Sequence, residues 1–345
     1  MRIAVVSDAE LVNSNYRAYQ PVQALARRGH AIEVNRPGEP RFRPQALLRA
    51  DVVHIHRYMD PEMQEMVRQL RAAGIGVVWD NDDDVTAIPR SNPHYRRLGG
   101  PANAARVRKL IASMVRSADV VTTPSAVLAE QYRASGAADV RVLENYLPRE
   151  FSGVKRRKHD GIVVVWLAGL EHQVDYQQLR LKATFERLLD AHPDLRLMSI
   201  GLGLGLPADR YEHLPLVEFF DLARTMASAD IGIAPLVDIP WNRARSSVKL
   251  KEYAAAGLPW LASPVGAYAE LGERDGGMLV PDDRWHEALD ELITNRRKRR
   301  KLAKNAAKWA KRQFIDAHAH LWEAALGDAA AAAQARASDR GNAVV

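Results

Sequence analysis

Residues 229–268 read ADIGIAPLVDIPWNRARSSVKLKEYAAAGLPWLASPVGAY. A short β-branched run ends at Pro235, and a polar loop then leads to Ser246, whose residue type is a common helix cap. The pattern predicts a helix from this cap to Gly257, because glycine often follows the last helical residue, and a second strand at Trp260–Ala262. Strand, loop, helix and strand in this order are typical of a parallel α/β sheet.

The same alternation extends along the chain in two series. The first series of predicted strands is Ile3–Val6, Ile32–Val34, Val52–Ile55, Gly76–Trp79, Val120–Thr123 and Val140–Leu143. The second series is Ile162–Leu167, Leu197–Ile200, Pro215–Val217, Ile231–Ala234, Trp260–Ala262 and Met278–Val280. Residues 148–160 lie between the two series, are polar and lack a pattern, so they are the predicted linker.

These series predict an α/β protein with two Rossmann-like, doubly wound parallel sheets. Such sheets bind ligands outside the carboxyl ends of their strands, so a ligand cleft is expected between the domains. The predicted domains are residues 1–148 and 149–327. The Ala-rich and then polar tail, residues 328–345, is expected to be disordered.

Composition narrows the possible classes of protein. The 345 residues are 47% hydrophobic and 26% charged, which suits two domains with separate cores. No apolar run reaches the roughly 18 residues of a membrane span, and Met1 begins a strand instead of a signal peptide, so a cytoplasmic location is expected. The absence of cysteine excludes thiol catalysis, disulfides and zinc-thiolate sites.

The net charge of +7 comes from one segment. Residues 296–312 contain ten Lys or Arg and no acidic residue, and the rest of the chain has 39 basic and 42 acidic residues. Leu302, Ala306 and Trp309 recur at helical spacing and predict an amphipathic helix with a basic outer face. That face is either simply solvated or makes peripheral contact with an anionic membrane; nucleic acid is not an expected partner.

The loop before the helix in the opening stretch has the chemistry of an anion site. Unpaired N–H groups and the positive end of the dipole at a helix N-terminus attract anions. Arg243, Arg245 and Lys249 add full positive charges beside it. A diphosphate is the natural ligand for this combination.

Residues 249–263, KLKEYAAAGLPWLAS, resemble the donor-site helix and following strand of retaining GT-B glycosyltransferases (glycosyltransferase family 4, or group 1). The resemblance covers nearly the whole chain. It implies the GT-B architecture and transfer of a sugar from a nucleotide-sugar to a glycan, lipid-linked or small-molecule acceptor, with retention of configuration. It further implies no cofactor and no metal, and bacterial cell-envelope glycan assembly as the setting.

The resemblance also implies roles for single residues. Glu252 would bind the ribose hydroxyls, and Arg243 and Lys249 would stabilise the leaving diphosphate. The pyrophosphate would be held by Asn242, Ser246, Ser247 and Lys249. The family usually has a second glutamate where this chain has Ala244, which implies either a variant donor site or loss of activity.

The loop after the first strand of the second series departs from the family as well. Relatives carry Arg and Lys there, whereas this chain has Gly169 and His172. His172 is expected to donate a hydrogen bond to phosphate, and Gly169 to let the backbone approach closely. The alternative is that His172 only starts a helix and is partly exposed.

The first domain is expected to present the acceptor. Asn15 and Arg17 follow the first strand and would reach the donor phosphate or the acceptor, or would otherwise be loop and capping residues. The cluster Asp80, Asp82, Asp83 and Asp84 places like charges together, which disfavours a purely structural role. An acidic cluster follows the same strand in the family subgroup that the chain resembles. The resemblance therefore implies acceptor recognition or positioning of the reacting sugar by Asp80, Asp82 and Asp83, with Asp82 orienting the acceptor.

Three further interpretations concern the same region and the fold. The acidic cluster could instead be an Asp-x-Asp metal site, but the doubled strand series argues against it. His54 and His56 face one side of a strand and are expected to be a packed, hydrogen-bonded pair at the edge of the cleft; the alternative is a pair of metal ligands. A nucleotide-sugar 2-epimerase and a non-catalytic sugar-nucleotide-binding protein are the alternative functions.

Overall fold

The computed structural model describes residues 1–8, 14–39 and 42–342. The chain forms two compact units. The first comprises Met1–Thr86, Pro101–Asn145 and Ile315–Val345, and the second comprises Ala87–Gly100 and Tyr146–Phe314. The units therefore differ from the predicted boundaries, because the end of the chain belongs with the first unit and a short internal segment belongs with the second.

Each unit has a parallel sheet of six strands among the described residues. The strands are β1 Arg2–Val6, β2 Ala31–Asn35, β3 Val52–His56, β4 Gly76–Asp80, β5 Val120–Thr123, β6 Val140–Val142, β7 Ile162–Ala168, β8 Leu195–Gly201, β9 Tyr211–Leu214, β10 Ile231–Ala234, β11 Trp260–Ala262 and β12 Gly277–Leu279. The first sheet has the order β2-β1-β3-β4-β5-β6 and the second β12-β11-β10-β7-β8-β9. The predicted fold class, two doubly wound α/β sheets, is confirmed.

Helices lie between the strands of both sheets, and three more follow the last strand in the described part of the chain. They are α1 Gln20–Ala26, α2 Pro61–Ala72, α3 Tyr95–Leu98, α4 Pro101–Ser117, α5 Ala126–Ala134, α6 Gln173–Gln178, α7 Leu181–Ala191, α8 Leu222–Met226, α9 Pro240–Arg243, α10 Val248–Ala255, α11 Trp285–Thr294, α12 Arg296–Ala310 and α13 Ile315–Asn342. In the part of the chain that is described, none of them is long and apolar enough to cross a membrane.

One predicted strand was misplaced. The apolar run at 215–217 was expected to form it, but β9 lies earlier in the chain. The Tyr211 hydroxyl shares a hydrogen bond with Ser199 Oγ on β8 (2.6 Å) and accepts one from the Leu204 N–H (2.8 Å). Leu216 is 78% exposed, so the run that looked like a buried strand lies outside the core.

The predicted disorder of residues 328–345 is wrong for residues 328–342, which belong to helix α13; residues 343–345 lie outside the described residues. Ala329 and Ala333 are fully buried. A Cβ on Gly76, at the start of β4, would stand 2.6 Å from the Ala329 carbonyl. Small residues on both elements therefore let the helix backbone approach the sheet, so the alanines are packing residues.

The predicted amphipathic basic helix is confirmed as α12. Leu302, Ala306 and Trp309 are buried, and Leu302 belongs to the core of the second unit. Asn295 caps the helix by accepting a hydrogen bond from the Lys298 N–H (2.9 Å).

Candidate functional site

The second unit brings two loops together at the carboxyl ends of adjacent strands. Strand β7 pairs with β10, and the chain leaves β7 toward β8 on one side and returns to β10 on the other. Parallel sheets of this kind bind ligands at such a switch point. The loops that follow these strands, residues 169–175 and 235–249, carry most of the predicted donor residues.

A buried chain of hydrogen bonds links the two loops. His172 Nδ1 lies 2.7 Å from Asp175 Oδ2, and His172 Nε2 lies 2.8 Å from Lys249 Nζ. Because the carboxylate accepts, Nδ1 carries the proton, and Nε2 is left to accept from the lysine. His172 is 1% exposed. Both ring nitrogens are thus used within the protein, so the expected direct bond from His172 to phosphate does not fit this geometry, and neither does partial exposure.

Asp175 joins His172 to the second loop, and the sequence analysis had not predicted a role for it. Its Oδ1 accepts hydrogen bonds from the Val237 N–H and from Asn242 Nδ2, each 2.8 Å long. Asn242 also donates to the Val237 carbonyl (2.9 Å). Asn242 is 1% exposed. Its position therefore holds the second loop against the first, whereas the predicted role was contact with pyrophosphate.

Burial shifts the pKa values of these three groups in the direction that favours their uncharged forms. Burial, and then Arg245, lowers the pKa of Lys249 to about 7. Burial, with Lys249 and Arg245, lowers the pKa of His172 well below its ordinary value, so the imidazole is neutral. Burial raises the pKa of Asp175 to about 6 against the hydrogen bonds from Val237 and Asn242. A lysine with this pKa gains charge when an anion arrives beside it.

The two loop arginines differ in what they contact. Arg245 lies 3.3 Å from Glu171 Oε1 with both terminal nitrogens, next to the His172 chain. Burial alone would raise the pKa of Glu171, but Arg245 and then Lys249 lower it below its usual value. Arg243 instead forms an exposed pair with Asp238, at 2.5 and 2.9 Å. The arginine that lies beside Lys249 is therefore Arg245, whereas the sequence had predicted this role for Arg243.

Helix α10 begins beside this chain. Its cap position is occupied by Ser247, which makes no side-chain capping bond, so the predicted cap at Ser246 is one residue too early. Lys249 lies in the first turn, and Glu252, one turn further, is 3% exposed. A helix N-terminus leaves its first N–H groups without intrahelical partners, which suits an anion.

Two small residues shape the same loops. A Cβ on Gly169 would stand 2.3 Å from Glu171 Oε2, so a larger residue there would make this carboxylate shift. This differs from the predicted role, a close approach of backbone to ligand. Ala244 is 1% exposed, so this position offers no carboxylate to a sugar.

In the first unit, Arg17 is committed to the fold. Its Nε and Nη2 pair with both oxygens of Asp80, at 3.1 and 2.6 Å, and neither side chain is exposed. Its Nη1 donates to the Leu143 carbonyl and to Asn145 Oδ1. Its guanidinium also lies 4.7 Å from the centre of the Trp322 ring. The expected contact of Arg17 with a ligand does not fit this geometry; Asn15, its neighbour in the same turn, is buried.

The remaining carboxylates of the acidic cluster have partners as well. Arg57, in a left-handed conformation with φ of 67°, donates to Asp82 Oδ1 (2.6 Å) and Asp83 Oδ2 (2.5 Å). Asp84 caps a turn by accepting from the Thr86 N–H and hydroxyl. The expectation that the fold has no use for this cluster is therefore wrong, since arginines offset the charges of Asp80, Asp82 and Asp83.

Asp82, the residue predicted to orient the acceptor, lies next to a buried histidine, His56. Burial alone would raise the pKa of Asp82, but Arg57 and then His56 hold this pKa well below its usual range. His56 Nε2 lies 3.4 Å from Asp82 Oδ1, and its Nδ1 lies 3.1 Å from Ser7 Oγ. Within the described residues no three His, Asp or Glu side chains are grouped as metal ligands. The acceptor roles of Asp80, Asp82 and Asp83 stay predictions.

His54 does not form the expected hydrogen-bonded pair. Neither ring nitrogen has a partner among the described residues, and the ring packs edge-on against Trp322 at 5.5 Å. Burial lowers the pKa of His54 to about 4. An unfolded histidine takes up a proton near pH 6.5, so acid favours the unfolded state.

We expect the chain to lose about 2 to 3 kcal/mol of unfolding free energy between pH 7 and pH 4.5 through His54 alone. The loss begins as the pH falls through 6.5 and is complete below 4. Urea denaturation of the wild type and of His54→Leu at both pH values measures it. An equal loss in His54→Leu would assign the acid sensitivity to other groups.

Comparison with known proteins places this site within a known family model. Residues 161–295, less than half of the chain, match the model of glycosyl transferases group 1. That segment contains both loops and helix α10. No curated protein sequence matches the chain.

Solved structures share the fold along nearly the whole chain. Sucrose-phosphate synthase from Thermosynechococcus elongatus is 15% identical, with 95% of this chain and 100% of that chain covered and a TM-score of 0.67. Anabaena HepE, solved with UDP and glucose, is 15% identical, with 94% and 98% covered and a TM-score of 0.63. A Listeria monocytogenes protein described as a putative UDP-N-acetylglucosamine 2-epimerase is 13% identical, with 92% of this chain and 93% of that chain covered and a TM-score of 0.53. The structural match over nearly the whole chain establishes the GT-B fold, but at identities this low it does not establish the reaction.

Proposed function

We propose that this protein is a glycosyltransferase whose nucleotide-sugar donor binds at the carboxyl ends of β7 and β10. The observation that carries the proposal is the buried chain Lys249–His172–Asp175 at the start of helix α10. It lies within the segment that matches the glycosyl transferases group 1 model. A buried lysine with a pKa near 7, beside a helix N-terminus, is suited to a group that brings negative charge.

In this proposal the donor diphosphate lies against the N-terminus of α10. Lys249 and the first N–H groups of the helix contact its oxygens, and Arg245 exchanges Glu171 for phosphate. Glu252 accepts hydrogen bonds from the ribose hydroxyls, because a carboxylate matches a vicinal diol. His172 and Asp175 are positioning residues, since they fix the lysine without contacting the donor.

The proposed reaction is transfer with retention of configuration. The bond between the anomeric carbon and the diphosphate oxygen breaks, and the acceptor oxygen bonds to the same face of the sugar. The acceptor proton passes to the leaving diphosphate, so no nucleophile of the protein and no metal is required. Lys249, Arg245 and the helix N-terminus lower the barrier by stabilising the charge that develops on the leaving group.

The donor class can be tested without knowing the acceptor. We expect one nucleotide class among UDP-, GDP-, ADP- and dTDP-sugars to raise the melting temperature, since a ligand at 100 times its Kd adds about 2.7 kcal/mol. UDP-sugars come first, because UDP is present in the HepE structures. Glu252→Ala is expected to lose most of the shift, whereas Glu287→Ala, an exposed glutamate on α11, should keep it. No shift with any donor would favour the non-catalytic alternative.

A 2-epimerase of the same fold is the second enzyme candidate. It would consume the nucleotide-sugar without an acceptor and yield an isomer, whereas the proposed transferase releases nucleoside diphosphate only with an acceptor. Product analysis by NMR, with and without a panel of glycan and lipid-linked acceptors, separates the two.

The glycosyltransferase proposal has three further parts. They are acceptor binding by Asp82 and its neighbours, a cell-envelope setting, and contact of α12 with an anionic membrane.

A further inference from the structure

A polar cavity lies in the second unit, away from the proposed donor site. Its volume is about 410 Å³. Gly161 and Ile162 line it at the start of β7, and Asp230 lines it just before β10. Because these strands are parallel, the cavity lies at their amino ends, whereas Lys249 and His172 lie past their carboxyl ends. The seven residues of β7 separate the two places by about 20 Å.

The cavity is lined by more positive than negative charge. The other lining residues are Arg156, Arg296, Arg299, Arg300 and Ala303. Asp230 is the one acidic residue among the described residues that line it, and its Oδ1 accepts a hydrogen bond from Arg156 Nη2 at 2.5 Å. Its Oδ2 accepts from the Val163 N–H at 3.0 Å. Asp230 thus offsets Arg156, and three arginines of helix α12 remain.

Within the described part of the chain these three arginines form no ion pair, in contrast to their neighbours on the helix. Lys298 and Lys301 on the same helix pair with Glu291 and Glu273, at 2.8 and 3.0 Å. Arg299 donates through Nη1 to two carbonyls at the end of α11, which satisfies hydrogen bonds but leaves its charge. The side chains of Arg296 and Arg300 make no ion pair and no hydrogen bond with residues 1–8, 14–39 and 42–342.

The position of these charges makes them unfavourable without an anion. They lie in the first turns of α12, which has no acidic residue in its first turn. The N-terminal end of a helix is already positive, so cations there are disfavoured. Burial lowers the pKa of Arg299; the charge of Asp230 opposes this, and repulsion from Arg156, Arg296 and Arg300 adds to the lowering. An anion in the cavity would relieve both the repulsion and the unfavourable dipole.

We propose that this cavity is a binding site for a phosphate-bearing anion with at least two negative charges, held by Arg296, Arg299 and Arg300. Guanidinium groups bind phosphate oxygens through paired hydrogen bonds, and a cavity of this size falls within the usual range for small ligands. The phosphate belongs either to a soluble phosphate ester or diphosphate, or to the headgroup of a phosphomonoester lipid. The site does not depend on the function proposed above.

The test compares two double variants of helix α12. Arg296→Ala/Arg300→Ala removes two charges from the cavity, and Arg297→Ala/Lys304→Ala removes two exposed charges outside it. Both keep good helix formers, so the helix is retained. Titration calorimetry with inorganic pyrophosphate at constant ionic strength is the first probe. Sedimentation with phosphatidylcholine vesicles containing phosphatidic acid is the second.

We expect the cavity variant to weaken binding of at least one probe tenfold or more, and the outer-face variant to change it less than twofold. Selective loss of pyrophosphate binding identifies a soluble anion, and selective loss of vesicle binding alone identifies a lipid headgroup. Binding at the Lys249 site is common to both variants and cancels. Equal weakening by both variants, or no binding of either probe by the wild type, would overturn the proposal.

Discussion

Replacing Lys249 by methionine is expected to lower kcat about 10²- to 10³-fold, once the donor has been identified, and to leave the fold intact. Removing one preorganised group that stabilises developing charge costs about this much in other enzymes. Methionine fills a similar volume, and burial already holds the lysine pKa near 7, so loss of the charge disturbs the fold little. Steady-state kinetics measure the first effect and denaturant unfolding the second.

Arg243→Met is the matched control for this prediction. Arg243 lies in the same loop but is paired with Asp238 on the surface, so its replacement is expected to change kcat less than threefold. Arg245→Met should instead weaken donor binding, because Arg245 lies beside the Lys249 chain. Unchanged turnover in Lys249→Met, with a confirmed donor, would remove Lys249 from the mechanism. A large effect of Arg243→Met would restore the prediction made from the sequence.

The pKa of Lys249 adds a readout that a purely structural residue would not give. In the free protein the lysine is largely neutral above pH 7, and an anion beside it favours the charged form. Donor binding above pH 7 is therefore expected to take up a proton, and the affinity should fall as the pH rises, by at most about tenfold per unit. Calorimetry in buffers of different ionisation enthalpy detects the proton, and Lys249→Met should abolish the uptake.

The fold could be predicted from the sequence because strand runs and helix caps are local. Eleven of the twelve predicted strands overlap an observed strand; the exception was the run at 215–217, whose Leu216 is exposed. The tail was mispredicted because its alanines pack against Gly76, a contact with a residue more than 200 positions away. Composition alone cannot reveal such a contact.

The candidate site could be predicted only as a region. The sequence predicted an anion site in the loop and helix of residues 242–252, and this stays a prediction. The choice between Arg243 and Arg245 depends on which partners each arginine finds. Asp238 is near in the sequence, whereas Glu171 is 74 positions away from Arg245. Asp175 was missed for the same reason, although an acidic residue three positions after a histidine at a helix start was the available signal.

Replacing Arg17 by methionine is expected to lower the unfolding free energy of the first unit by about 3 to 5 kcal/mol. The variant leaves Asp80 fully buried and without its arginine, and breaking a buried ion pair by removing one partner costs about this much. It also leaves the Leu143 carbonyl and Asn145 without their donor. Hydrogen exchange of the β1 and β4 amides measures the loss within this unit.

Two further variants decide what the loss means. Arg2→Met breaks a surface pair with Asp51, 67% and 34% exposed, in the same unit, and should cost less than about 1 kcal/mol. Arg17→Met/Asp80→Asn removes both buried charges and should recover a large part of the stability, because the penalty of Arg17→Met is mainly the unpaired carboxylate. If Arg17→Met costs no more than Arg2→Met, the guanidinium is not needed by the fold. It would then be available to a ligand, as the position of Arg17 after the first strand had suggested.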